Sequence, residues 1–145
     1  MRLVLVAAII FATSTTVSAQ ASPVSLVVKS ALEPQIGADV RLGGRLSARA
    51  LAAFVTDFED GTYIVNVAAL YRLGGPGPLT TRVGLSTTVV NFDDLHLFGV
   101  LFGAEYALSE RFGVFGEAAL DTDFGDGIGV VRTLNNSGVG VRLRL

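Results

Sequence analysis

A chain of 145 residues is long enough for one domain with a substantial core and too short for two. It has no cysteine, which removes disulfide frameworks, thiolate nucleophiles and cysteine-based zinc sites together. Eleven basic residues stand against thirteen acidic ones without a basic run, which argues against a nucleic-acid partner, and all the basic residues but Lys29 are arginine, the residue suited to confined carboxylate pairs.

The chain opens with Arg2, an apolar run from Leu3 to Phe11, a Thr/Ser stretch and Val17-Ser18-Ala19 before Gln20. This is the charged, hydrophobic and small-residue layout of a secretory signal, so residues 1–19 are expected to be removed and 20–145 to form the mature domain. The run is too short to span a bilayer, and no later stretch approaches the ~20 continuous apolar residues that a spanning helix needs. Contact with a membrane would therefore be made by strands.

Val24 to Ala31 is a first apolar run, ended by Leu32-Glu33-Pro34. Residues 35–42 then alternate, with Ile36, Ala38, Val40 and Leu42 on one face and Gln35, Gly37, Asp39 and Arg41 on the other, up to a turn at Gly43-Gly44. Residues 45–56 place Leu46, Ala48, Ala50, Ala52 and Phe54 opposite Arg45, Ser47, Arg49, Leu51 and Ala53. After a turn at 57–61, residues 62–73 set Tyr63, Val65, Val67, Ala69 and Tyr71 against Ile64, Asn66, Ala68, Leu70 and Arg72, and Gly74 to Pro78 breaks the run. From Leu79 to Phe92, Val83, Leu85, Thr87 and Val89 oppose Arg82, Gly84, Ser86 and Thr88. The clearest hairpin follows: Phe98, Val100, Phe102, Ala104 and Tyr106 oppose Gly99, Leu101, Gly103 and Glu105. After Ser109-Glu110-Arg111, Phe112, Val114, Gly116, Ala118 and Leu120 oppose Gly113, Phe115, Glu117, Ala119 and Asp121. Residues 125–136 read as the longest connection, and 137–145 close the chain with Val139, Val141, Leu143 and Leu145 against Gly138, Gly140, Arg142 and Arg144.

These are eight candidate strands and no convincing helix. An even count puts both termini at one end of the sheet, and closure removes exposed edges, so the expected fold is all-β: a closed eight-stranded antiparallel up-and-down barrel. Connections 32–34, 57–61, 92–95 and 122–136 share one end and are the more acidic and longer set, as at the outer end of an outer-membrane barrel. The parity carrying charge is also rich in glycine (Gly99, Gly103, Gly113, Gly138, Gly140), a poor choice for a wet strand surface and a sensible one for a narrow lumen. The apolar parity puts Phe54, Tyr63 and Phe98 toward one end and Tyr71, Tyr106 and Phe112 toward the other, the layout of two interfacial girdles, with Phe102 at mid-height. The apolar face therefore points outward.

The last eight residues, Gly138 to Leu145, resemble the assembly signal of bacterial outer-membrane barrels, with Gly140 five from the end, Leu143 third from last and Leu145 in place of the usual phenylalanine. Gly103 to Leu108 through Glu117, then Asn135-Asn136 leading to Gly140, look like the last three strands of the OmpA-like transmembrane domains. That resemblance implies a transmembrane eight-stranded barrel in the outer membrane of a Gram-negative-type bacterium. It also implies a gate in which Glu105 and Glu117 exchange arginine partners. Phe115 stands two before Glu117, where that family can carry an arginine, so the gate does not carry over intact.

Asp39, Arg41, Arg49, Asn66, Arg72, Arg82, Glu105, Glu117, Arg142 and Arg144 are the expected lumen residues. Eight strands leave room for little beyond packed side chains, and an isolated charge there is costly, so these groups should pair into a network that plugs the barrel. Asp57, Glu59, Asp60, Asp93, Asp94, Asp121, Asp123 and Asp126 are ordinary turn aspartates and glutamates that could also hold cations bridging lipopolysaccharide phosphates. His96 lies near Asp93 and Asp94, but no serine follows it at the spacing of a lipid deacylase, which leaves a hydrolytic triad without its nucleophile.

The expected function is thus a non-enzymatic outer-membrane barrel contributing to envelope integrity or surface contact. Its partners would be outer-membrane lipids, lipopolysaccharide and the barrel-assembly machinery; no cofactor or metal is implied, and a monomer is admissible. The alternatives are a narrow gated pore, an outer-membrane lipid-modifying hydrolase and a soluble barrel binding a small apolar ligand.

Overall fold

Period-two alternation requires extended chain with two unlike faces, and the computed structural model supplies it as nine strands: β1 (Val24–Ser30), β2 (Pro34–Gly43), β3 (Leu46–Thr56), β4 (Gly61–Gly74), β5 (Leu79–Val90), β6 (Leu95–Ala107), β7 (Phe112–Asp123), β8 (Val130–Thr133) and β9 (Gly138–Arg144). The structure describes residues 23–31, 33–56, 61–91, 95–123, 130–133 and 136–145. The expected signal segment, most of the acidic loop residues and the side chain of His96 lie outside the described residues.

Each strand from β1 to β7 pairs antiparallel with the next, and β9 lies between β7 and β1, with Leu143 opposite Phe112 on one side and Leu26 on the other. The ring is thereby closed with eight strand positions. Strands β2 to β7 run from 10 to 14 residues, enough for a tilted strand to cross a hydrocarbon core, which takes ~9–11. Among the described residues no helix is long and apolar enough to cross a membrane.

The eighth position is shared. β8 pairs with the far end of β7, Leu120 opposite Thr133 and Asp123 opposite Val130, and β9 takes over with Gly138 opposite Glu117. The stretch 125–136, read from sequence as a single connection, is therefore partly strand. Its glycines and paired asparagines suggest a loop, but the β-branched Val130-Val131 and Thr133 favour extended chain once β7 offers an unpaired edge. Between the two segments, the Ala119 N–H is satisfied by the Ser137 hydroxyl at 2.8 Å.

The turns at the end carrying both termini need left-handed backbone, which glycine supplies: Gly44 has φ 51° and Gly77 φ 56°. Here the Arg41 N–H donates to the Pro23 carbonyl at 2.8 Å and the Arg144 N–H to the Arg111 carbonyl at 2.8 Å, holding β2 and β9 at the rim.

Polarity is inverted relative to a soluble domain. Twenty-three large apolar or aromatic side chains are exposed among the described residues, Leu85 at 66% and Phe102 at 56%, while Lys29, Asp39, Arg49, Glu105, Asp121 and Arg142 are buried. Most of the buried apolar side chains form two small clusters, Val27, Leu51 and Phe115 in one and Ala68, Leu70, Leu101 and Ala119 in the other.

Candidate functional site

A lumen built from eight strands is narrow, and this one accommodates large inward side chains by seating them on glycine. A Cβ added at Gly103 would lie 2.8 Å from Glu117 Cγ, at Gly113 2.9 Å from Glu105 Oε1, at Gly140 2.5 Å from Phe115 Cζ and at Gly84 2.6 Å from Leu70 Cδ2. Asp121 lies across Gly99, its register partner, in the same way. Glycine on the charged parity is therefore the space that the neighbouring strand's side chain occupies.

Two ionic networks result. Near the end with the termini, Glu105 accepts hydrogen bonds from Arg82, from Arg142 at 2.6 Å and from Arg144 at 2.8 Å. Arg142 also donates to Asp39 at 2.7 Å, and Asp39 lies 3.7 Å from Arg82. Further in, Arg49 grips both oxygens of Glu117 as a fork, at 2.5 and 2.8 Å, and Lys29 approaches the same carboxylate at 3.2 Å. Lys29 spends its other donors on Asn136, at 2.5 Å to the carbonyl and 3.0 Å to the side-chain oxygen.

Phe115 lies between the two networks. The Arg49 guanidinium carbon is 5.8 Å from its ring centroid and that of Arg142 is 6.0 Å, so one cation from each network faces the same ring near the outer limit of a cation–π contact. The ring, packed on Gly140 and against Val27 and Leu51, fills the section between the two networks. Beyond Glu117, Asn66 donates to the Thr88 hydroxyl at 2.8 Å.

Of the ten residues expected in the lumen, Asp39, Arg49, Asn66, Glu105 and Arg142 are buried, and Arg82, Glu117 and Arg144 sit in the two networks. Arg41 and Arg72 stand at the mouth, where they line one cavity with Asp39, Arg82, Arg142 and Arg144. Both are exposed at the rim, because their strands end there at Gly43 and Gly74, and Arg72 donates to the Gly44 carbonyl at 3.3 Å. Lys29 and Asn136 are buried lumen residues that the strand pattern did not assign. Lys29 shares its parity with Ser25 and Val27, a signal hidden by the brevity of β1. Asp121, grouped with the loop acids, is a buried lumen residue because β7 continues to Asp123. At the C-terminus Gly140 receives Phe115 while Leu143 and Leu145 point outward and are exposed.

No protein-family model matches the chain, and no curated protein matches it. Among solved structures, the N-terminal β-barrel domain of Pseudomonas aeruginosa OprF is similar over 87% of this chain and 100% of its own, at 18% identity and a TM-score of 0.52. Neisserial surface protein A (NspA) is similar over 84% of this chain and 93% of its own, at 19% identity and a TM-score of 0.49. With strand order, closure and an inward network all described, the chain has the closed eight-stranded antiparallel barrel fold of the OprF N-terminal domain.

Proposed function

We propose that this chain is a non-enzymatic integral barrel of the outer membrane of a Gram-negative-type cell, with a plugged lumen, contributing to envelope integrity or surface contact. The observation that carries the reading is the inverted polarity: a continuous belt of exposed apolar side chains around a ring whose interior holds the charges. Monomeric soluble proteins rarely expose contiguous apolar patches beyond a few hundred Å², and this belt encircles the whole barrel. Lipid is the solvent that such a surface fits. The plug is the second half of the reading: Phe115 and the Arg49–Glu117–Lys29 cluster occupy the section that an open pore would keep free. Outer-membrane lipids and lipopolysaccharide are the partners of the belt, and the barrel-assembly machinery is the partner of the terminal pattern Gly140, Leu143 and Leu145.

The test is electrophoretic mobility of the protein from isolated membranes, boiled and unboiled in mild SDS, followed by reconstitution in a planar bilayer. The expected result is a boiling-dependent shift in the outer-membrane fraction and a silent bilayer. Recovery from the soluble periplasm without a shift would overturn the membrane reading. Steady conductance that disappears in Glu105→Gln would replace the plug with a pore.

A further inference from the structure

The end of the barrel that carries the termini has more cationic charge than its carboxylates can neutralise. A cavity of about 80 Å³ opens there, lined by Arg41, Arg45, Arg72, Arg82, Arg142 and Arg144, with Asp39 the one carboxylate in its wall. Glu105 and Asp39 together engage Arg82, Arg142 and Arg144. Arg41, Arg45 and Arg72 form no ion pair among the described residues, so six guanidinium groups share two carboxylates. Moreover, Arg72 and Arg82 are direct cross-strand partners between β4 and β5, like charges opposite one another: Arg82 is answered by Glu105, whereas Arg72 donates to the Gly44 carbonyl and forms no ion pair among the described residues. In the connections at this end the one carboxylate is Glu110, which forms no ion pair among the described residues and accepts from Arg144 through its backbone carbonyl at 2.9 Å.

We propose that this mouth is a binding site for a phosphate group, either free or borne by a lipid headgroup. Guanidinium forks match phosphate oxygens two at a time, and the cavity opens at the mouth with room for a phosphate group. The site stands on the residues lining it and does not depend on the barrel's role; in an outer-membrane barrel this end faces the periplasm.

The experiment is calorimetric titration of inorganic phosphate into the refolded full chain in an uncharged maltoside detergent at low salt. Wild type should bind saturably, and Arg41→Gln combined with Arg72→Gln should bind about tenfold or more weakly. Arg111→Gln, on the same end but outside the cavity, should bind as wild type does. Retention of the boiling-dependent shift shows that each variant is folded; Arg45→Gln, in the β2–β3 turn, takes the place of the double variant if the latter fails that check. Dihexanoyl phosphatidic acid below its micellar concentration then separates the sources: displacement of phosphate at lower concentration assigns the site to a lipid headgroup, and failure to displace assigns it to free phosphate. Absence of saturable binding in wild type, or unchanged affinity in the folded rim variants, would overturn the proposal.

Discussion

Glu117 illustrates what a single side chain does in so narrow a barrel. Its carboxylate is the shared partner of two cations that are themselves fully buried, Arg49 at 1% exposure and Lys29 at 0%. Removing one partner of a buried pair leaves the other charge desolvated and uncompensated, which costs more than the pair contributes relative to an apolar substitute. Glu117→Gln is accordingly expected to lower stability by about 3 kcal/mol. Adding Lys29→Met should restore part of that loss by removing one of the stranded cations. Urea unfolding of the refolded protein in micelles measures both, and equal midpoints for wild type and Glu117→Gln would show that the fork contributes nothing. Glutamate and arginine on one parity were legible from alternation alone. Lys29 was not, since seven residues of mostly aliphatic chain carry too little contrast to announce a face.

At the scale of elements, β9 is where closure is decided. It must pair with β7 and β1 at once, and its two glycines make that approach possible: a Cβ at Gly138 would collide with the Ser30 carbonyl of β1, and one at Gly140 would lie 2.5 Å from both Val28 O and Phe115 Cζ. The outward residues of the same strand, Val139, Val141, Leu143 and Leu145, are exposed and belong to the apolar belt. If this strand is also the assembly signal, removing Leu145 should slow insertion in cells while leaving refolding into detergent nearly unchanged, because Leu145 lies past the last strand pair with β1 and adds to it one backbone bond, its N–H to the Val24 carbonyl at 3.2 Å. Pulse-chase measurement of the heat-modifiable form checks this; equal slowing in both settings would assign Leu145 to stability instead. β8 was the element that sequence reading mistook for loop. Four residues of strand between glycine-rich and asparagine-rich flanks acquire their conformation from the free edge of β7 rather than from their own pattern.

For the whole molecule, the proposed membrane reading turns on which side of the closed sheet would meet lipid. Phe102 lies near mid-height on the outer face, opposite Val83 on β5 and Ala118 on β7, and is more than half exposed. Phe102→Arg should destabilise the barrel by about 2–4 kcal/mol in phospholipid vesicles, the cost of a cation at the bilayer midplane. The same substitution on a water-facing strand would be close to neutral. Denaturant unfolding in vesicles distinguishes the two, and an unchanged midpoint would remove the lipid-facing assignment of this surface. The aromatic residues expected at the two ends fit the same surface: Phe54 and Tyr63 pack with ring centroids 4.7 Å apart at one end, and Tyr71 and Tyr106 are exposed toward the other.

The sequence by itself determined the all-β class, the hairpin succession, the two faces of most strands and the residue types confined inside, because a strand's period and a turn's glycine are local properties that short windows reveal. Which charges meet depends on closure of the ring. Arg142 reaches Asp39 across 103 residues of chain and Lys29 reaches Asn136 across 107, contacts that exist only once β9 has closed the ring. Register and closure also decided that Arg41 and Arg72 stop at the rim, and that Phe115 and not a guanidinium fills the section between the two networks. The reason is geometric: alternation states which side a residue faces, while its height in the lumen and its partner across it depend on the register of every strand between them.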